Sequence, residues 1–82
     1  MNTNSTVGHD SDIGDFTSIN GGVEITGDVK VGSECLFGVG SVVINGRHIA
    51  DRTVVGAGSV VIRNMGSDIT VFGNPAKQVK GI

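Results

Sequence analysis

Aliphatic or aromatic residues recur at every sixth position without a slip: Val7, Ile13, Ile19, Ile25, Val31, Phe37, Val43, Ile49, Val55 and Val61. Two residues before each stands a second set: Ser5, Ser11, Thr17, Val23, Val29, Cys35, Ser41, Arg47, Thr53 and Ser59. All of these except Arg47 are small or β-branched. A period of six fits neither the 3.6-residue turn of a helix nor the simple alternation of a strand. It fits a short strand followed by a turn, repeated along the chain, which is the hexapeptide signature of a β-solenoid.

A longer period gives the cross-section. Phe37-Gly38-Val39-Gly40-Ser41-Val42-Val43-Ile44 matches Val55-Gly56-Ala57-Gly58-Ser59-Val60-Val61-Ile62 at an offset of 18. Three hexads therefore make one coil, and the coil has three sides. The hexads opened by Met1, Ile19, Phe37 and Val55 stack on one side, those of Val7, Ile25, Val43 and Val61 on the next, and those of Ile13, Val31 and Ile49 on the third. Successive coils pair at about 4.8 Å, so the aliphatic residues form three internal ladders.

The pattern places the solenoid over residues 1–66, about three coils, with an irregular C-terminal tail over 67–82. Met1 to Thr6 already fits the hexad register, which leaves an open β edge for a partner to cover unless the chain is a fragment. Ser67 and Gly73 stand where the ladder should continue after Val61, so the segment from Arg63 is expected to leave the solenoid, with a sharp turn at Gly73-Asn74-Pro75-Ala76-Lys77 and a short helix or strand over Ala76 to Lys80. Arg47 breaks the small inward set and is expected to bend away at a bulge or loop. Phe16 is expected to face outward, as a lone surface aromatic or as a subunit contact.

Composition narrows the function classes. Eighty-two residues form one domain at most, and a solenoid this short needs capped ends, so an oligomer is expected. The net charge of −2, with six basic residues and no basic cluster, argues against nucleic acid. No apolar run is long enough to span a membrane and no signal peptide is evident, so the cytoplasm is the default. Cys35 is the single cysteine and sits in the small inward set, as a packed thiol rather than a nucleophile.

The glycine pairs Gly38-Val39-Gly40 and Gly56-Ala57-Gly58 are not dinucleotide fingerprints, because no helix pattern follows either. His9 and His48 are two coils and one side apart and share no edge, so no metal site is expected from this chain. The remaining constellation is His9-Asp10 on an outer corner. A carboxylate beside an imidazole stabilises the imidazolium and supports general-base work. By itself one His-Asp pair also fits an ordinary surface histidine.

Val7-Gly8-His9-Asp10-Ser11-Asp12-Ile13-Gly14-Asp15-Phe16 resembles the catalytic stretch of the hexapeptide-repeat acyltransferases, in particular the sialic acid O-acetyltransferase type, which includes enzymes that N-acetylate nucleotide-linked amino sugars. Gly27-Asp28-Val29-Lys30-Val31-Gly32, Val55 to Val61 and Val71-Phe72-Gly73-Asn74-Pro75-Ala76-Lys77 continue the likeness in the same order. The resemblance implies an all-β, left-handed parallel β-helix; connection rules alone would favour right-handed crossovers. It implies a homotrimer with acetyl-CoA as co-substrate in the groove between neighbouring helices. It matches His9 to the general base and Asp10 to the acidic neighbour that supports it, and it matches Ser18, Val39 and Ala57 to acetyl-CoA contacts. Ser18 and Val39 are expected on different sides of the coil. Lys77 is a candidate for a CoA phosphate, or a solvated lysine. Relatives carry an N-terminal α/β domain and further coils before His9, which this sequence lacks.

The expected activity is therefore acetyl transfer from acetyl-CoA to an amine or hydroxyl of a sugar or nucleotide-sugar, with no metal. The competing class is a truncated β-helix that serves as a trimeric scaffold or binding module without chemistry.

Overall fold

A computed structural model describes residues 4–81, with side chains as far as residue 79. The expectations for Met1 to Thr3 and for Ile82 lie outside the described residues. Ten two-residue strands follow one another: β1 (Thr6–Val7), β2 (Asp12–Ile13), β3 (Ser18–Ile19), β4 (Glu24–Ile25), β5 (Lys30–Val31), β6 (Leu36–Phe37), β7 (Val42–Val43), β8 (His48–Ile49), β9 (Val54–Val55) and β10 (Val60–Val61). Two longer strands end the chain, β11 (Ile69–Gly73) and β12 (Ala76–Gly81).

From β1 to β7, each short strand pairs in parallel with the one three strands on, at the offset of 18 that the repeat dictates. The first side is β1-β4-β7-β10, the second β2-β5-β8, and the third β3-β6-β9-β11, extended by β12. The result is a three-sided parallel β-helix of about four turns, with no helical segment among the described residues. In every short strand the first residue points out and the second points in. Ile19, Phe37, Val55 and Val71 stack inside the third side, Ile25, Val43 and Val61 inside the first, and Val31 and Ile49 inside the second. Burying each such side chain contributes roughly 1.5–3 kcal/mol against the entropy of ordering the coil.

The small inward set closes the corners. Ser11 Oγ donates to the Thr26 carbonyl (2.8 Å) and accepts from the Val29 amide (3.0 Å). Thr17 does the same with the Gly32 carbonyl (2.8 Å) and the Cys35 amide (3.2 Å). Cys35 takes its own turn in this scheme: it is buried, and its thiol donates to the Ala50 carbonyl at 3.1 Å. Burial pushes its pKa up, which leaves it protonated and inert.

Every corner turns on a residue with positive φ, and these recur every sixth position from Asn4 to Gly58. Seven of these ten are Gly, Asn or Asp, the residues that tolerate the left-handed region. The exceptions are Phe16 (φ 61), Glu34 (φ 59) and Arg52 (φ 57), and all three stand on the corner between the second and third sides. The coils also approach closely just after the inward residue. A Cβ on Gly8 would lie 2.5 Å from the Gly27 nitrogen, and one on Gly14 would lie 2.5 Å from the Gly32 carbonyl carbon.

Two expectations are corrected here. The chain does not leave the solenoid at Arg63. Met65 bridges Ile49, and Thr70 and Val71 pair with Val54 and Val55, an offset of 16. The turn after Val61 is two residues shorter than the others, which moves Met65 and Val71 into the places that strict counting gives to Ser67 and Gly73. The tail is then regular: β12 folds back antiparallel on β11 after a cis Asn74–Pro75 bond and buries Ala76, so the strand expected over Ala76 to Lys80 is present. Nor does Arg47 bend away. Its carbonyl accepts from the Lys30 amide (3.1 Å) in the same register that joins Val29 to Asp12, so its backbone keeps the inward place. Its side chain is half-buried, and Nε has no hydrogen-bond partner.

Candidate active site

His9 and Asp10 form the turn between β1 and β2, on the corner joining the first and second sides. The corner is held by its neighbour in the next coil, because the Asp28 amide donates to the His9 carbonyl at 3.1 Å. Asp10 takes the left-handed place (φ 61), which brings its carboxylate back toward the preceding ring. His9 Nδ1 lies 3.0 Å from Asp10 Oδ2. With the carboxylate ionised, Nδ1 carries the hydrogen and donates, so Nε2 keeps its lone pair. Lys30 Nζ donates to the Asp10 carbonyl (3.3 Å) and to Asp12 Oδ2 (3.0 Å), which places a cation beside the pair on the second side.

Nε2 lies against Gly27, one coil on. A Cβ there would be 3.6 Å from it. Gly27 is thus part of the histidine's surroundings, a role that no motif marks. The offset of 18 from His9 was the available signal. The imidazole is 85% exposed on its corner. A cleft of about 420 Å³ lies at the C-terminal end, between Arg63, Met65 and the β12 hairpin.

The expected cofactor positions gather elsewhere. Ser18 points outward from β3, in register with Leu36 and Val54. Val39 and Ala57 follow β6 and β9, at the corner where the third side passes into the first. Lys77 pairs with Phe72 on β12 of the same sheet, and it also lines the cleft. Ser18 thus lies on the third side, and Val39 at the corner where that side ends. The strand begins one residue before the inward aliphatic, so Ser18 belongs with Ile19 rather than with the hexad of Ile13. His9-Asp10 and the Val39–Ala57 column occupy opposite ends of the first side, on the order of 15–20 Å apart from strand rise. One chain does not bring them together.

No metal cluster exists among the described residues, and His48 lies on β8, off the His9 corner. No helix among them is long and apolar enough to cross a membrane.

No family model matches the chain. The acetyltransferase domain of PglB from Neisseria gonorrhoeae, in complex with acetyl coenzyme A, superposes with a TM-score of 0.93 at 32% identity. The similarity is to hexapeptide-repeat acetyltransferases. That superposition covers 95% of this chain and 38% of the PglB chain. A mutant of perosamine N-acetyltransferase from Caulobacter crescentus, in complex with CoA and GDP-perosamine, gives a TM-score of 0.80 at 33% identity, over 96% of this chain and 46% of that one. UDP-3-O-acylglucosamine N-acyltransferase of Delftia acidovorans is 32% identical over 59 residues, which is 72% of this chain and 18% of the relative. The chain thus spans less than half the length of each of these acyltransferases. A coil of opposite hand could not superpose at this level, so the spiral is left-handed like its acetyltransferase neighbours.

Proposed function

We propose that this chain carries the catalytic coils of an acetyl-CoA-dependent acetyltransferase of the sialic acid O-acetyltransferase type, acting on an amine or hydroxyl of a sugar or nucleotide-sugar. The observation that carries the reading is the His9 Nδ1–Asp10 Oδ2 contact of 3.0 Å, which leaves Nε2 basic and open to solvent beside Gly27. Nε2 takes the proton from the acceptor N–H or O–H as the acceptor attacks the thioester carbonyl. The carbon–sulfur bond breaks, and the CoA thiolate leaves with the proton that the imidazolium returns. Asp10 holds the ring in the productive tautomer and offsets its transient positive charge.

Ser18, Val39, Ala57 and Lys77 hold acetyl-CoA in this reading. Because they lie a full side from His9, the working site is shared: His9 and Asp10 from one copy, the cofactor column from the next, in a homotrimer. The acceptor class is supported by the perosamine and acylglucosamine substrates named for the similar enzymes.

The test joins acetyl-CoA calorimetry to turnover on a panel of amino sugars, for wild type and His9→Ala. Binding by both proteins is expected, with a loss of turnover in His9→Ala of about 10²–10⁴-fold. Absence of CoA binding, or equal background turnover, overturns the reading in favour of a scaffold without chemistry.

A further inference from the structure

Lys30 opens β5 and points outward on the second side. Among the ten outward positions that open β1 to β10, it is the one lysine or arginine. It pairs in register with Asp12 on the preceding coil, so its side chain comes up beside the His9 corner. Nζ makes two bonds there, to Asp12 Oδ2 at 3.0 Å and to the Asp10 carbonyl at 3.3 Å. The proton transfer described above uses neither bond.

The contact between His9 and Asp10 does little to hold itself. The two side chains are 85% and 76% exposed, and an exposed contact of this kind favours the closed geometry by about fivefold at most. The backbone of the turn decides where the Asp10 carboxylate points. Asp10 holds a φ of 61, and its carboxylate folds back on Nδ1 only while the peptide that follows keeps its orientation. On either side the turn is tied to the next coil. The Asp28 amide donates to the His9 carbonyl, and Ser11 Oγ joins the Thr26 carbonyl to the Val29 amide. The Asp10 carbonyl lies between these ties and takes its bond from Lys30. Lys30 is itself well anchored, because β5 is paired on both edges, with β2 and with β8. Asp12 completes the arrangement. By pairing with Nζ it keeps the ammonium off the Asp10 carboxylate, which stays with the imidazole.

We infer that Lys30, anchored by Asp12, is a positioning residue for the base: it locks the Asp10 peptide so that the carboxylate holds the His9 proton on Nδ1 and leaves Nε2 free. Which ring nitrogen carries the hydrogen is set by the bond that the other atoms of the pair can make, so a loosened Asp10 releases the tautomer as well as the ring. The effect on rate rests on the acetyltransferase reading above. The effect on the ring does not, because it is present without substrate.

Nitrogen NMR of the neutral His9 ring, its signals assigned by their loss in His9→Ala, tests this together with turnover. Wild type should show the hydrogen on Nδ1. Lys30→Met should move the ring toward the Nε2–H form that a free histidine side chain favours, with a thermal midpoint near that of wild type. Its kcat should fall about fivefold while KM for acetyl-CoA stays unchanged. Lys30→Arg keeps a donor at the end of the stem and should recover most of both losses. In an Asp10→Ala background Lys30→Met should cost nothing further, because what it positions is already gone. The same tautomer in wild type and Lys30→Met overturns the inference, and so does an equal fall in kcat with Asp10 absent. A wild type without turnover whose tautomer still shifts in Lys30→Met overturns the acetyltransferase reading and leaves the positioning role standing.

Discussion

Gly27 sits one coil beyond His9 and keeps open the space at its second ring nitrogen: a Cβ on Gly27 would lie 3.6 Å from Nε2. That distance is ordinary van der Waals contact, so Gly27→Ala should retain most of the activity. A branched side chain would reach into the path of the acceptor. Gly27→Val is expected to lower kcat/KM by about 10²-fold, as small misplacements at a reacting centre do, with a thermal midpoint near that of wild type. Equal activity of the valine variant would place the reacting nitrogen elsewhere.

Stability should respond to acid through one corner pair. Arg52 Nη2 donates to Asp68 Oδ2 at 3.0 Å, and its Nε donates to the other carboxylate oxygen. These bonds hold the Asp68 carboxyl below its ordinary value of 3.8. The folded chain therefore binds that proton less readily than the unfolded chain, and the pair stabilises the fold above about pH 4. The contribution disappears as pH falls through the lowered value. Melting curves from pH 6 to pH 2 should show wild type losing its advantage over Asp68→Asn within that acid window. Both groups are partly exposed, so the advantage should be small and should shrink in high salt. A constant difference across the range would contradict the pairing.

Arg47 occupies an inward place with Nε unpartnered. A buried donor without an acceptor costs about 1–3 kcal/mol, and an apolar side chain of similar volume removes that cost. Arg47→Met should raise stability by roughly 1 kcal/mol in urea unfolding. A loss of stability would mean that the guanidinium finds its partner in another copy or a ligand.

Close coil stacking makes a different demand at Gly14, where a Cβ would lie 2.5 Å from the Gly32 carbonyl carbon. Backbone on the far side cannot rotate away as a side chain would. Gly14→Ala should therefore cost about 1–3 kcal/mol. An unchanged midpoint would show that the coils are farther apart than the hydrogen-bond ladder implies.

Most of the spiral was legible from Val7 to Val61, because an inward residue every sixth position and a coil every 18 leave one stacking register. What strict counting could not see was a turn two residues short. After Val61 the true inward residues are Met65 and Val71, and a fixed period passes over both. Arg47 was misplaced because a guanidinium at an inward position normally argues for a bulge. The repeat gives a period but not where in it the strand begins, so the place of Ser18 beside Ile19 was not marked. The left-handed corner positions were hidden for a related reason: Phe16, Glu34 and Arg52 lack the Gly, Asn or Asp that marks the others. Of the candidate site, His9 and Asp10 were read in the sequence together with their corner. Gly27 was not, because its role follows from stacking across coils rather than from any motif.

The most direct test of a site shared between copies is complementation by mixing. His9→Ala lacks the base, and Ala57→Trp should block the cofactor column. Each protein alone should be inactive with acetyl-CoA and an amino-sugar acceptor. Unfolded and refolded together in equal amounts, they should recover about one quarter of wild-type turnover, because in a closed ring roughly one site in four draws both halves from intact copies. A mixture as inactive as its components would contradict the account.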